Sequence, residues 1–243
     1  MIFNVHAGHN PDGKVACGAS CFIQESTEAR KVKDEVIRML RQQGHTVYDC
    51  TCDNGTDKDD ILVKIVKACN AHNADLDVSI HFNSCVKDLK GDGKTTGTEV
   101  FLYNSSSKAK TYAEKVCAAI AGLGFRNRGI RYNPSLYVLK KTKAPAMLIE
   151  CCFVDDKDDI QLYNYQKMAE AIVYGITGQK DAQESAKEEK ADPEASAAGA
   201  ETVTGSKEQL YRVQVGSYSV ASNAKAMQDK LKKAGFDAII VNA

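Results

Sequence analysis

The 243-residue chain has no surplus of either charge: 32 Lys and Arg stand against 32 Asp and Glu. Nucleic-acid binding needs an excess of cations to meet the phosphates, so no nucleic-acid partner is expected. No apolar run approaches the ~20 residues that cross a bilayer, so no transmembrane segment is expected. The first residues, MIFNVHAGHN, lack the basic flank and the long apolar stretch of a secretory signal peptide. The chain is therefore expected to be made in the cytoplasm. Its nine cysteines (17, 21, 50, 52, 69, 85, 117, 151 and 152) are scattered and odd in number, which excludes a complete intramolecular disulfide framework. The pairs Cys17/Cys21 and Cys50/Cys52 lack the Cys-x-x-Cys repeat of a zinc ribbon or finger, and reduced, buried thiols are the expectation. A local His-Glu-x-x-His motif is missing too.

What is present is an ordinary globular balance, 43% hydrophobic and 26% charged, enough for one sizeable domain plus something small. MIFNVHAG is a short β-rich run. ESTEARKVKDEVIRMLRQQG carries Ala29, Val32, Val36, Met39 and Leu40 at helical spacing and stops at Gly44. HTVYDCT, LDVSIHFNS and GTEVFLYN read as strands. DKDDILVKIVKACNAHNA and SKAKTYAEKVCAAIAGLG read as helices. APAMLIECCFV is a continuous apolar run, the mark of a strand buried on both faces, and DKDDIQLYNYQKMAEAIVYGITG closes with a helix. This alternation predicts an α/β fold, a mostly parallel twisted sheet flanked by helices on both faces, over residues 1–177. Residues 178–209 are rich in Ala, Glu, Lys and Ser, lack aromatics and read as a flexible linker. Residues 210–243 read as a small β-α-β segment, short for a self-sustaining core.

Four polar residues fall at or near the expected strand ends, where open α/β sheets gather their sites. His9 follows the first strand, Glu25 precedes the first long helix, His81 interrupts VSIHFNS, and Glu150 ends AMLIE. Two histidines and a carboxylate are a common catalytic zinc set, and a further carboxylate can serve as general base. Glu150, flanked by apolar residues, suits that role because burial raises a carboxyl's pKa. Each of the four also reads as an unrelated polar residue. Glu28, one helical turn from Glu25, is a rival ligand. His6 stands three before His9; strand neighbours at that spacing face opposite sides, so only one of the two is expected to be a ligand. Cys151 and Cys152 have no local activating base and read as structural. His45 and His72 read as solvated. Asn83 shares a side with His81 and could orient substrate or ligand, or form a turn. Arg128 and Arg131 could meet acidic groups of a peptide substrate or form a solvated loop face.

The stretches AGHNPDG, ESTEARKV, SIHFNS, GTEVFLY and NRGIRYNPSLYVLKKTKAPAMLIECCFVDDKDD resemble, in order and spacing, the zinc-dependent N-acetylmuramoyl-L-alanine amidases of the Amidase_3 type. The resemblance spans residues 1–177. It implies a Zn2+ held by His9, Glu25 and His81, with Glu150 as the catalytic residue, and cleavage of the amide between N-acetylmuramic acid and L-alanine in peptidoglycan. Two stretches depart from the family pattern. His6 stands where an Asp is usual, and Asn10 replaces a glycine. Cys151 and Cys152 replace a small residue and a glycine before Phe153. The tail LYRVQVGSYSVASNAKAMQDKLKKAGFDAIIVNA resembles the first half of a SPOR domain, which implies peptidoglycan as partner; its open edge strand implies self-association with a second chain. An enzyme made in the cytoplasm would reach the wall after lysis, by holin release or in sporulation. The rival readings are a non-catalytic peptidoglycan-binding protein and a zinc peptidase acting within the stem peptide.

Overall fold

A computed structural model describes residues 1–180 and the isolated positions Lys225, Gln228, Lys232 and Ile239. Apart from those positions, the expected linker beyond residue 180, the 210–243 segment and the chain pairing expected through it lie outside the described residues. The elements are β1 Ile2–Ala7, α1 Glu25–Gln42, β2 Thr46–Asp49, α2 Lys58–Cys69, β3 Leu76–Asn83, β4 Thr98–Leu102, α3 Lys110–Ala121, β5 Asn127–Tyr132, α4 Tyr137–Lys141, β6 Ala146–Phe153, α5 Lys157–Leu162 and α6 Tyr165–Thr177. The six strands form one sheet in the order β2-β1-β3-β6-β4-β5. Every neighbouring pair is parallel except β4 with β6. The mostly parallel α/β fold expected from the alternating pattern is the fold observed.

Strand alternation divides the sheet into two unlike faces. One face presents Phe3, Val5 and Ala7 from β1, Val78, Ile80 and Phe82 from β3, Met147, Ile149 and Cys151 from β6, and Val100 and Leu102 from β4. These bury against Val32, Val36 and Leu40 of α1, Val116 and Ile120 of α3, and Met168 and Ile172 of α6. Each large side chain so buried stabilises the fold by about 1.5–3 kcal/mol. The second face packs differently. Leu148 and Ala146 meet Ile61 and Ile65 of α2 and Val138 and Leu139 of α4. Along β6 this face runs Ala146, Leu148, Glu150; along β3 it runs Asp77, Ser79, His81, Asn83. It is apolar where helices cover it and turns polar toward the carboxyl ends of the strands.

Three local readings change. The closing helix is two helices: α5 stops at Leu162, and Asn164 starts α6 by accepting from the N–H groups of Gln166 and Lys167. Residues 127–132 form edge strand β5 rather than a loop. His45 and His72 are half-buried rather than solvated. His45 packs edge-on against Phe3, and His72 stacks on Tyr48 with ring centroids 3.6 Å apart. The cysteines are all free; Cys50, Cys52, Cys69, Cys117, Cys151 and Cys152 are buried. Burial pushes the Cys151 and Cys152 thiols up, away from the nucleophilic thiolate.

Candidate metal centre

The loop after β1 is fastened before it carries any chemistry. The Gly8 N–H donates to Ile80 O at 3.0 Å, extending the β1–β3 ladder by one residue. The His81 ring lies so close over Gly8 that a Cβ there would collide with its Cε1 and Nε2. His9 follows with φ +64°, the left-handed region that side chains seldom adopt. Arg30 holds that turn: its Nη2 donates to His9 O at 2.9 Å, while Nε and Nη2 grip Asp53 at 3.0 and 2.6 Å. Asn10 is fully buried and ties the loop to the one after β2. Its Nδ2 donates to Val15 O and Gly55 O at 2.9 and 2.8 Å, and its Oδ1 accepts from Gly55 N at 3.0 Å. A glycine at this position could make none of these side-chain bonds.

Glu25 is the first residue of α1, where a negative charge meets the positive end of the helix dipole. Its Oε2 accepts from Ala19 N at 2.8 Å, and its Oε1 from Phe82 N at 3.2 Å. The same Oε1 lies 3.2 Å from His9 Nε2 and 3.1 Å from His81 Nδ1. The two imidazoles meet edge to face, with centroids 5.1 Å apart. His9, Glu25 and His81 thus offer three donor atoms within 4.8 Å of one another. Burial opposes charge on Glu25, but hydrogen bonds and attraction from His81 and His9 outweigh it and hold the carboxyl well below the usual range. Glu25 is 5% exposed, against 27% for His9 and 15% for His81, so the cluster is reached from the histidine side.

Glu150 sits opposite His81 in the β3–β6 register. Its Oε2 is covered and has no hydrogen-bond partner. Burial first, then repulsion from Glu25 and Glu99, pushes its carboxyl well above the ordinary value. His6 lies one strand away, opposite Ser79, whose Oγ is 3.4 Å from His6 Nδ1. Burial, then the nearby His81, lowers its pKa to about 3, so its ring is neutral. It is not among the three converging donors. Glu28 is engaged elsewhere, with Lys31 Nζ at 2.7 Å and the Tyr163 hydroxyl at 3.1 Å. Among the described residues, no cysteine joins a group able to hold a metal.

Two features were missed in the sequence. Glu99 was read only as part of a strand. It lies opposite Glu150 on β4 and accepts from Asn83 Nδ2 at 2.8 Å, Arg128 Nε at 2.9 Å and Arg131 Nε at 3.2 Å. A lone carboxylate within the apolar run TEVFL was the available signal. Asn83 therefore orients Glu99. The second feature is an acidic cluster that joins Asp88 of the loop after β3 to Asp156 and Asp158 after β6. Asp88, Asp156 and Asp158 also converge, but their oxygens accept backbone N–H groups of Gly91, Asp92, Gly93 and Thr96. They order the loop between β3 and β4.

Fold and site together define a class: an α/β protein with an N/N/O donor triad at the carboxyl edge of its sheet and a protonatable glutamate beside it. The Amidase_3 family model, described as N-acetylmuramoyl-L-alanine amidase, matches residues 4–178, and the chain belongs to that family. A SPOR domain model matches residues 173–242. The chain is 36% identical over 167 residues to "Uncharacterized protein CPE1502" of Clostridium perfringens, covering 67% of this chain and 47% of the relative. It thus spans about half the length of the curated relatives it matches. Among solved structures, the catalytic domain of CD27L endolysin targeting Clostridia Difficile aligns with TM-score 0.65 and 25% identity, covering 74% of this chain and 98% of that one. The catalytic domain of CwlV, an N-acetylmuramoyl-L-alanine amidase from Bacillus (Paenibacillus) polymyxa, aligns with TM-score 0.60 and 26% identity, covering 73% and 96%.

Proposed function

We propose that this chain is a zinc-dependent amidase that hydrolyses the bond between N-acetylmuramic acid and L-alanine in peptidoglycan. The observation that carries the reading is the convergence of His9, Glu25 and His81 beside a covered, unpartnered Glu150 oxygen. The donor chemistry fits zinc. Glu25 Oε1 stands 3.2 and 3.1 Å from the two imidazole nitrogens, close to the ~3.3 Å edge of a tetrahedron with zinc-ligand bonds of about 2.0–2.1 Å. Bound by His9, Glu25 and His81, zinc supplies a Lewis acid for the amide carbonyl and brings the pKa of water toward neutrality.

The chain's own groups do the rest. Glu150 takes a proton from the attacking water at the oxygen that lacks a partner. The same carboxyl then delivers that proton to the alanine nitrogen as the C–N bond breaks. Glu25, held anionic by its neighbours, would share the metal with both imidazoles through its one converging oxygen. The buried, neutral His6 supports the β1–β3 edge without contributing a donor. The SPOR match supports docking on the wall, which would raise the local substrate concentration by tethering. The cell wall is accordingly the site of action. Among the described residues no helix is long and apolar enough to cross a membrane.

The test is Glu150→Gln, which keeps the shape and removes the proton carrier. Zinc should still bind at one ion per chain, while release of free amino termini from purified walls should fall at least a hundredfold, within the usual range for a general base. Retained cleavage in that variant, or full cleavage after exhaustive chelation, would overturn the assignment.

A further inference from the structure

Next to the candidate centre, a pair of arginines is held in a way that neutralising Glu99 does not require. Arg128 and Arg131 stand three residues apart on β5 and would face opposite sides of a regular strand. They share one side because β5 carries an extra residue. Thr98 pairs with Asn127 and Val100 with Ile130, so two steps on β4 meet three on β5, and Gly129 takes φ +77° at the bulge. Both guanidiniums then reach the same carboxylate oxygen, Glu99 Oε2, each through Nε. Arg128 also lies over the Phe153 ring, with Cζ 5.0 Å from the centroid.

The charge arithmetic matters. Glu99 is 6% exposed, and a buried carboxylate needs a partner. One arginine with the Asn83 amide would supply that. The second leaves the group with a surplus positive charge. Among the described residues neither guanidinium donates a further hydrogen bond, so their Nη groups remain available, and Arg131 is half exposed. The fork of an arginine suits a planar carboxylate. Position completes the case. His81, Glu150 and Glu99 stand in register on adjacent strands, with the arginines on the strand beyond. Strand spacing of ~4.8 Å puts β5 about 10 Å from β6. The arginine side chains lean back toward Glu99 and shorten that span to the reach of about two extended residues at ~3.3 Å each.

We propose that Arg128 and Arg131, anchored by Glu99, form a carboxylate-binding subsite that selects stem peptides whose second residue carries a free acid over those in which that group is amidated. This rests on the amidase reading and extends it to substrate class. The test uses the zinc-loaded full chain with two muramyl dipeptides whose γ-carboxyl is capped as the methylamide, N-acetylmuramoyl-L-alanyl-D-glutamate γ-methylamide and its counterpart with the α-carboxyl amidated, together with calorimetric binding of the two corresponding free dipeptides. The acid should show a KM about tenfold lower than the amide, the scale of one charge-assisted hydrogen bond, with similar kcat. Arg131→Gln should bring the two KM values within about twofold. Arg131→Lys should restore only part of the gap, because charge returns without the fork. Equal KM values in the parent chain, or a gap unchanged in both Arg131→Gln and Arg128→Gln, would overturn the subsite and leave the amidase reading standing. Tighter binding of the acid dipeptide without cleavage of either substrate would support the subsite and overturn the amidase reading.

Discussion

Gly8→Ala probes the metal centre without touching a proposed ligand. Gly8 has no left-handed φ, so alanine fits its backbone, and the Gly8 N–H bond to Ile80 O survives. The added methyl, however, would collide with Cε1 and Nε2 of the His81 ring. The ring must move, and with it the Nδ1 now 3.1 Å from Glu25 Oε1. Overpacking a filled site costs about 1–3 kcal/mol. If that strain is borne in the metal-bound arrangement, zinc affinity falls about 5- to 150-fold, at ~1.36 kcal/mol per tenfold. Competition against a chromogenic chelator reads the affinity, and far-UV circular dichroism confirms the fold. A folded Gly8→Ala chain that binds zinc as tightly as the parent would refute the placement of His81 in the centre.

The other predictions follow from the same geometry. His9→Ala should abolish stoichiometric zinc binding, whereas His6→Ala should weaken it less, because His6 contacts Ser79 and offers no converging donor; equal losses in equilibrium dialysis would contradict this. Asp77 is buried, one of its oxygens has no partner, and burial raises its pKa from 3.8 to about 6 despite the hydrogen bond from Asn4. A carboxyl whose folded pKa is raised contributes stability below its unfolded value that is lost as pH rises through the folded value. The parent should therefore lose roughly 3 kcal/mol at most between pH 4 and pH 7 relative to Asp77→Asn. Parallel pH profiles of the two chains in urea denaturation would rule this out.

Much of the architecture is legible in residue order because its signals are local. The spacing of Val32, Val36 and Leu40 marks α1, and the unbroken MLIECCF marks a central strand. The elements that escaped are those whose cause is not local. β5 is an edge strand whose burial is incomplete and whose alternation is broken by the Gly129 bulge, so NRGIRY has no period of two to read. The break between α5 and α6 rests on Asn164 capping, which a helical run of apolar residues masks. At the site, strand-end positions made His9, His81 and Glu150 candidates, but nothing in the local pattern chose Glu25 over Glu28. That choice depends on which helical face meets β3, a tertiary fact. Glu99 stayed silent for the same reason: its partners Arg128 and Arg131 lie about thirty residues away and converge only through the bulge.

The most direct test is the chemistry of the ends created when purified cell walls are digested with the zinc-loaded chain. New amino-terminal L-alanine, with no new reducing sugar and no other new amino terminus, is the expected result. Reducing termini, amino termini from within the stem peptide, or binding to walls without any new end would contradict the assignment of His9, Glu25, His81 and Glu150 to hydrolysis of the lactyl-alanine amide.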